Sequence, residues 1–317
     1  VQPAIEISNL NKVYKGNFWE APVNVLRGLD LKVPYGSVYG FVGANGAGKT
    51  TTIKILLGLQ KADSGYVKLL GADARDSLSL GKIGFLPERP YFPEWMRAGA
   101  FLDLARALFP IEASKSLRSN KELFELVGLK NIEHRALRGF SKGMLQRIGI
   151  AQVLVSDPVL VILDEPMSGL DPEGRRDTRE LISRLHSLGK TVFFSSHILS
   201  DIEQVCDHFV FLQEGKAKIS GSVAEILAGA GRTTELTFRG ISFPADEIKN
   251  LNAIQLKSGE MLLRQVPPDR AKALISHAIA SGGELVSMHP SQGNLEQLLF
   301  PDKSGGDRYS EGSARTR

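Results

Sequence analysis

Gly43, Ala44, Asn45, Gly46, Ala47, Gly48, Lys49, Thr50 and Thr51 follow one another with the spacing Gly-x4-Gly-Lys-Thr. This is the pattern of a loop that wraps phosphate groups. Glycines tolerate positive φ and add no bulk, so successive backbone N–H groups can converge on one anion. A helix that follows such a loop points its free N–H groups and positive dipole end at the same phosphates. Lys49 adds a point charge for the terminal phosphate oxygens, and the Thr50 hydroxyl suits Mg²⁺. The apolar run at 37–42 enters the loop and a helical stretch to residue 57 leaves it, which is the context a phosphate loop needs.

A second chemical element lies downstream. Residues 159–163, Val-Leu-Val-Ile-Leu, run into Asp164 and Glu165. An acid at the C-terminal end of a buried strand beside a phosphate loop is placed to hold Mg²⁺, the role expected of Asp164. Glu165, one residue on, points elsewhere and suits the orientation or deprotonation of an attacking water.

The elements that must carry these groups are legible from periodicity. Residues 3–14 and 23–33 alternate apolar and polar side chains, as half-buried strands do. The runs at 66–70 and 82–86 read as further strands. The apolar runs at 159–163 and 191–195 suit central parallel strands buried on both faces. A helix over 174–188 separates these two, so a parallel sheet is expected. From about residue 90 to 157 apolar residues recur at helical spacing, as in 101–109 and 121–127, and a helical subdomain is expected there. Ser141 precedes a helical pattern and reads as its N-cap. After about residue 230 the pattern restarts: strands at 235–238, 261–266 and 284–288, and helices at 269–280 and 294–299. The expected division is a domain over 1–228, an α+β domain over 229–301, and a disordered tail over 302–317, where apolar residues almost vanish.

The ordered set of motifs identifies a resemblance. Over about residues 4–225 the chain resembles the nucleotide-binding subunit of ATP-binding cassette (ABC) transporters. Phe140-Ser141-Lys142-Gly143-Met144-Leu145-Gln146-Arg147 is similar to the family signature, Ser168-Gly169-Leu170-Asp171 to its D-loop, and Ser196-His197 to its switch histidine. The resemblance implies an α/β fold: a P-loop NTPase core with a mostly parallel sheet, an antiparallel β layer and a helical subdomain, followed by the small α+β domain. It also implies ATP and Mg²⁺, with Tyr14 stacking on adenine and His197 contacting the γ-phosphate. Ser141, Lys142, Gly143, Met144 and Asp171 then act across the interface of a head-to-tail dimer, homo- or heteromeric. Glu88 falls where the family places a glutamine that contacts Mg²⁺ and the lytic water. Lys142 and Met144 replace a glycine and a glutamine of the usual signature. Both departures resemble exporter-type subunits that pair with a separate, ABC-2-like membrane permease. The end of the chain, 293–300, resembles the close of an accessory domain in such subunits.

Composition sets bounds on other readings. The 317 residues are 42% apolar and 23% charged, with a formal net charge of +4, which argues against a nucleic-acid footprint. One cysteine, Cys206, excludes an internal disulfide framework and a cysteine-based zinc site. No run of about 18 apolar residues occurs, so a cytoplasmic protein held at the membrane by its permease is expected. The alternatives are a soluble ABC-type ATPase working on ribosomes or nucleic acid, and a module that binds ATP without hydrolysing it. The cluster Tyr91, Phe92, Trp95 and Met96 carries two readings: core packing of the helical subdomain, or a groove for a short helix of a membrane subunit.

Overall fold

A computed structural model of the chain describes residues 2–15, 21–74, 81–108, 118–229, 232–241, 253–256, 258–292 and 294–300. The tail expected at 302–317, the helix end at residue 109 and the residue at 293 lie outside these described residues.

The apolar runs become a six-stranded sheet. β3 (Val38–Gly43) is buried along its whole length and pairs in parallel with β8 (Thr191–Ser196) on one side and β9 (His208–Gln213) on the other. β7 (Leu160–Leu163), also wholly buried, pairs in parallel with β8 and with β6 (Ile83–Leu86). β10 (Lys216–Ser222) closes the far edge as an antiparallel strand, giving the order β10-β9-β3-β8-β7-β6. Parallel register brings the C-terminal ends of β3, β6, β7 and β8 to one edge, where ligands of such sheets bind. Val159 departs from the expected strand. It precedes β7 and is 40% exposed, because burial begins only where Leu160 enters the sheet between its neighbours.

The alternating segments form a second, antiparallel layer. β1 (Ile5–Tyr14) lies between β2 (Val23–Val33) and β4 (Ser64–Leu69), with the two-residue β5 (Ala72–Asp73) on the edge. Its inward face, including Ile5, Ile7, Leu10, Leu29 and Leu69, joins Phe41, Ile53 and Phe193 in one core.

Helices α1 (Lys49–Leu56), α2 (Ala98–Ala107), α3 (Asn120–Leu126), α4 (Lys142–Val153), α5 (Pro172–Ser187) and α6 (Leu199–Val205) complete this part. Their starts follow local chemistry. Ser119 and Glu122 form a reciprocal capping box at α3, the Ser141 hydroxyl accepts from Met144 N at α4, and Asp171 accepts from Gly174 N at α5 with Pro172 next in the chain. None of the described helices is long and apolar enough to cross a membrane.

Contacts divide the chain into two compact units, residues 1–223 and 224–317. The helix α7 (Val223–Gly229) spans that division. The second unit has its own antiparallel sheet in the order β12-β13-β11-β14. Its strands are β11 (Arg232–Arg239), β12 (Ile254–Gln255), β13 (Met261–Val266) and β14 (Glu284–Gln292). Leu236, Phe238, Leu263 and Val266 of this sheet pack with Ala271, Leu274 and Ala278 of α8 (Pro268–Ala280) as a separate core. The short α9 (Leu295–Leu299) follows.

Candidate active site

The phosphate-loop pattern becomes a turn between β3 and α1 that only glycine permits. Gly48 has φ +109°, and a Cβ there would lie 2.8 Å from Leu26 Cδ2. A Cβ on Gly43 would lie 2.5 Å from the Leu212 carbonyl oxygen of β9. Because Gly48 caps α1 without a side chain, the first N–H groups of that helix stay open toward the loop. This segment borders a cleft of about 410 Å³. Asn45, Gly46, Gly48, Lys49, Thr50 and Thr51 line it together with Glu88, Glu165, Ser168 and His197.

Lys49 is 6% exposed. Its ammonium donates to the carbonyls of Gly43 (2.6 Å) and Ala44 (3.3 Å) and stands 3.1 Å from Glu165 Oε1. The pairing with Glu165 is ionic only: Oε1 is buried and accepts no hydrogen bond. The other oxygen, Oε2, lies 2.8 Å from His197 Nδ1. Glu165 holds this place with φ +49°, a left-handed conformation that costs a non-glycine residue about 1–3 kcal/mol and concentrates at functional sites.

Asp164 is buried behind this group. It accepts from the Ser195 hydroxyl at 2.6 Å and from the Thr50 hydroxyl. Burial raises its carboxyl above the usual range. The Ser195 and Thr50 hydrogen bonds oppose this, and the negative charges of Glu165 and Glu88 add to it. A raised, crowded carboxylate is one that a cation would relieve. Thr50, Asp164 and Glu88 offer the hard oxygen donors that Mg²⁺ takes, so the residues fit that ion.

The structure thus gathers Lys49, Thr50, Glu88, Asp164, Glu165 and His197 around one cleft. It leaves other sequence candidates off the cleft wall. The Tyr14 hydroxyl donates to Gln60 Oε1 at 2.7 Å and lies 3.4 Å from Thr51 Oγ1, beside α1. Ser141 and Lys142 are exposed at the start of α4, where the Lys142 ammonium lies against Gly169 and Gly143 faces Gly174. Asp171 spends one carboxylate oxygen on the α5 cap. Of the aromatic cluster, Tyr91 and Trp95 are 87% and 75% exposed, so core packing fails for both. It holds for Phe92, which meets Phe101 edge-on at 5.6 Å. Both exposed rings lie in an irregular stretch between β6 and α2 that turns their side chains outward.

Two contributors were not singled out from the sequence. Val25 of β2 lines the cleft. Ser195 bonds Asp164 and accepts from Glu165 N at 2.7 Å, fixing both acids. A serine at the end of a buried strand is the signal for Ser195. For Val25 no local signal exists.

Known proteins share this sequence and fold. Residues 26–168 match the family model described as ABC transporter. An ABC transporter ATP-binding protein of a Nostoc species is 39% identical over 92% of this chain and 88% of its own. The lantibiotic transport ATP-binding protein SrtF of Streptococcus pyogenes is 39% identical over 67% of this chain and 88% of its own. The bacitracin transport ATP-binding protein BcrA of Bacillus licheniformis is 43% identical over 59% and 61%. A solved ATP-binding subunit of an ABC transporter superposes with a TM-score of 0.58 at 29% identity, over 71% of this chain and 92% of that one. A phosphate loop, a buried acid pair and a histidine thus converge in a fold shared with these subunits, and the chain belongs to the ABC transporter family as an ATP-binding subunit, an ATPase that energises transport.

Proposed function

We propose that this ATPase drives export through a separate membrane permease, with two ATP molecules held between two head-to-tail cassettes. The observation that carries the catalytic part is the contact of Glu165 with both Lys49 (3.1 Å) and His197 (2.8 Å) beside the phosphate loop. The N–H groups at the start of α1 cradle the phosphates. A γ-phosphate oxygen competes with Glu165 Oε1 for the Lys49 ammonium, so nucleotide binding releases Glu165 toward a water. The carboxylate then accepts the proton of that water as it attacks. His197 holds Oε2, keeps the carboxylate aimed and contacts the γ-phosphate. Thr50, Asp164 and Glu88 hold Mg²⁺, which neutralises charge developing on the phosphates when bound.

The second half of each site is the start of α4. Ser141 and Lys142 are exposed, and a helix N-terminus favours an anion. Ser141 to Met144 face the partner's γ-phosphate, Asp171 lies at the interface, and Tyr14 stacks on adenine. The cassettes work at the cytoplasmic face. The ABC-2-like permease docks on the surface of Tyr91 and Trp95, and the unit after residue 223 regulates or steadies the dimer. Export is supported by the signature departures and by the relatives named for bacitracin and lantibiotic transport.

The test is affinity capture from detergent-solubilised membranes with Glu165→Gln and ATP, which traps the closed dimer. A co-purifying polytopic membrane protein is the expected result. Ribosomes or nucleic acid without a membrane protein would overturn the reading. Trp95→Ala is expected to abolish the capture, and unchanged capture would remove Trp95 from the docking surface.

A further inference from the structure

His197 sits in a short link between β8 and α6. Its imidazole is 40% exposed and meets Glu165 at its inner edge. Nearby, the Ser196 hydroxyl accepts from Ile198 N at 3.0 Å. Where the ring lies therefore depends on where α6 lies. That helix has only seven residues, and its N-cap, Ile198, supplies no side-chain bond. Its first turn is tied down instead by one of its own side chains, which reaches α5.

The holding group is Asp201, in the first turn of α6 and 1% exposed. Its two oxygens accept from different arginines of α5: Oδ2 from Arg175 Nη2 at 2.6 Å and Oδ1 from Arg179 Nη1 at 3.1 Å. Arg175 and Arg179 are one turn apart and share a face of α5. Asp177 lies on the opposite face, 3.5 Å from Arg147 of α4. Helix α5 thus stands between the helix that follows His197 and the helix headed by Ser141. A buried carboxylate between two arginines is a costly way to pack helices, because apolar residues of similar volume pack them as well. Arg175 Nε adds to that cost, being buried without an acceptor.

We propose that Asp201 is a positioning residue for His197: the Arg175–Asp201–Arg179 clamp fixes α6 on α5 and thereby sets the imidazole against Glu165 and the γ-phosphate. The inference rests on the γ-phosphate role proposed above for His197. Asp201 is buried and does not line the cleft. Its effect passes through His197, and so it disappears when His197 is gone.

A double-mutant cycle reads that dependence. Single-turnover ATP hydrolysis, equilibrium ATP affinity and thermal melting are measured for the wild type, Asp201→Asn, His197→Ala and the double variant. Asp201→Asn is expected to slow hydrolysis about tenfold with ATP affinity within about twofold. On the His197→Ala background the same substitution changes the rate by less than about twofold. Equal slowing on both backgrounds overturns the proposal, because Asp201 then acts independently of His197. An unchanged rate for His197→Ala alone overturns the reading of the histidine itself, and this inference with it. If Asp201→Asn does not fold, Arg179→Gln loosens the clamp from the α5 side and must show the same dependence on His197.

Discussion

The cleft around Lys49 and the start of α4, proposed above to face the same kind of anion, are built on opposite plans. Lys49 is buried, and its charge is answered within the chain by two carbonyls and Glu165. Lys142 is exposed and lies against Gly169 of an adjacent loop. A buried charge cannot be left unanswered, so the fold must build the first region completely. Nothing demands that for an exposed helix start, whose N–H groups can wait for an external anion. One region is satisfied within the chain, and the other leaves its lysine at the surface.

The largest effect that would sharpen this contrast is chemical. Glu165→Gln is expected to lower ATP hydrolysis by about 10²–10⁴-fold while ATP still binds, read by phosphate release and nucleotide titration. A fall of less than tenfold would deny Glu165 the role of base. Next come the two lysines. Lys49→Ala leaves Glu165 buried without its cation and is expected to cost about 3–5 kcal/mol in denaturant unfolding. Lys142→Ala is expected to stay within about 0.5 kcal/mol of the wild type. Similar losses at both sites would break the comparison. Ser141→Ala removes the cap of α4 and is expected to cost about 1 kcal/mol, together with a loss of cooperativity in ATP hydrolysis.

The smallest expected effect concerns pH. The Asp164 carboxyl is raised in the folded protein, chiefly by burial. A carboxyl raised on folding contributes stability that is full below its unfolded pKa and is lost as pH rises through the folded value. At neutral pH the ionised Asp164 is therefore a cost to the metal-free protein. Asp164→Asn should raise the melting temperature of that form at pH 7 and flatten its decline from acid to neutral pH. A lower melting temperature would mean that its bonds to Ser195 and Thr50 outweigh its burial.

Much of the site was legible because its chemistry is local. The glycine spacing at 43–48, the acid pair closing a buried strand and the cap at Ser141 depend on near neighbours in the chain, and these keep their meaning in any fold that forms the strand or helix. The exposed Tyr91 and Trp95 were harder to read, since an aromatic cluster fits a core or a surface equally until its neighbours are known.

From the sequence alone came the order of the elements, the phosphate loop between strand and helix, and the identity of the acids, all set by short-range conformational preference and residue chemistry. Only the tertiary structure decided that Glu165 lies between Lys49 and His197, that Ser195 supports Asp164, that Val25 closes the wall, and that Asp201 ties α6 to α5. Those contacts join residues far apart in the chain, and only the register of parallel strands and the packing of helices on them brings such residues within hydrogen-bonding reach.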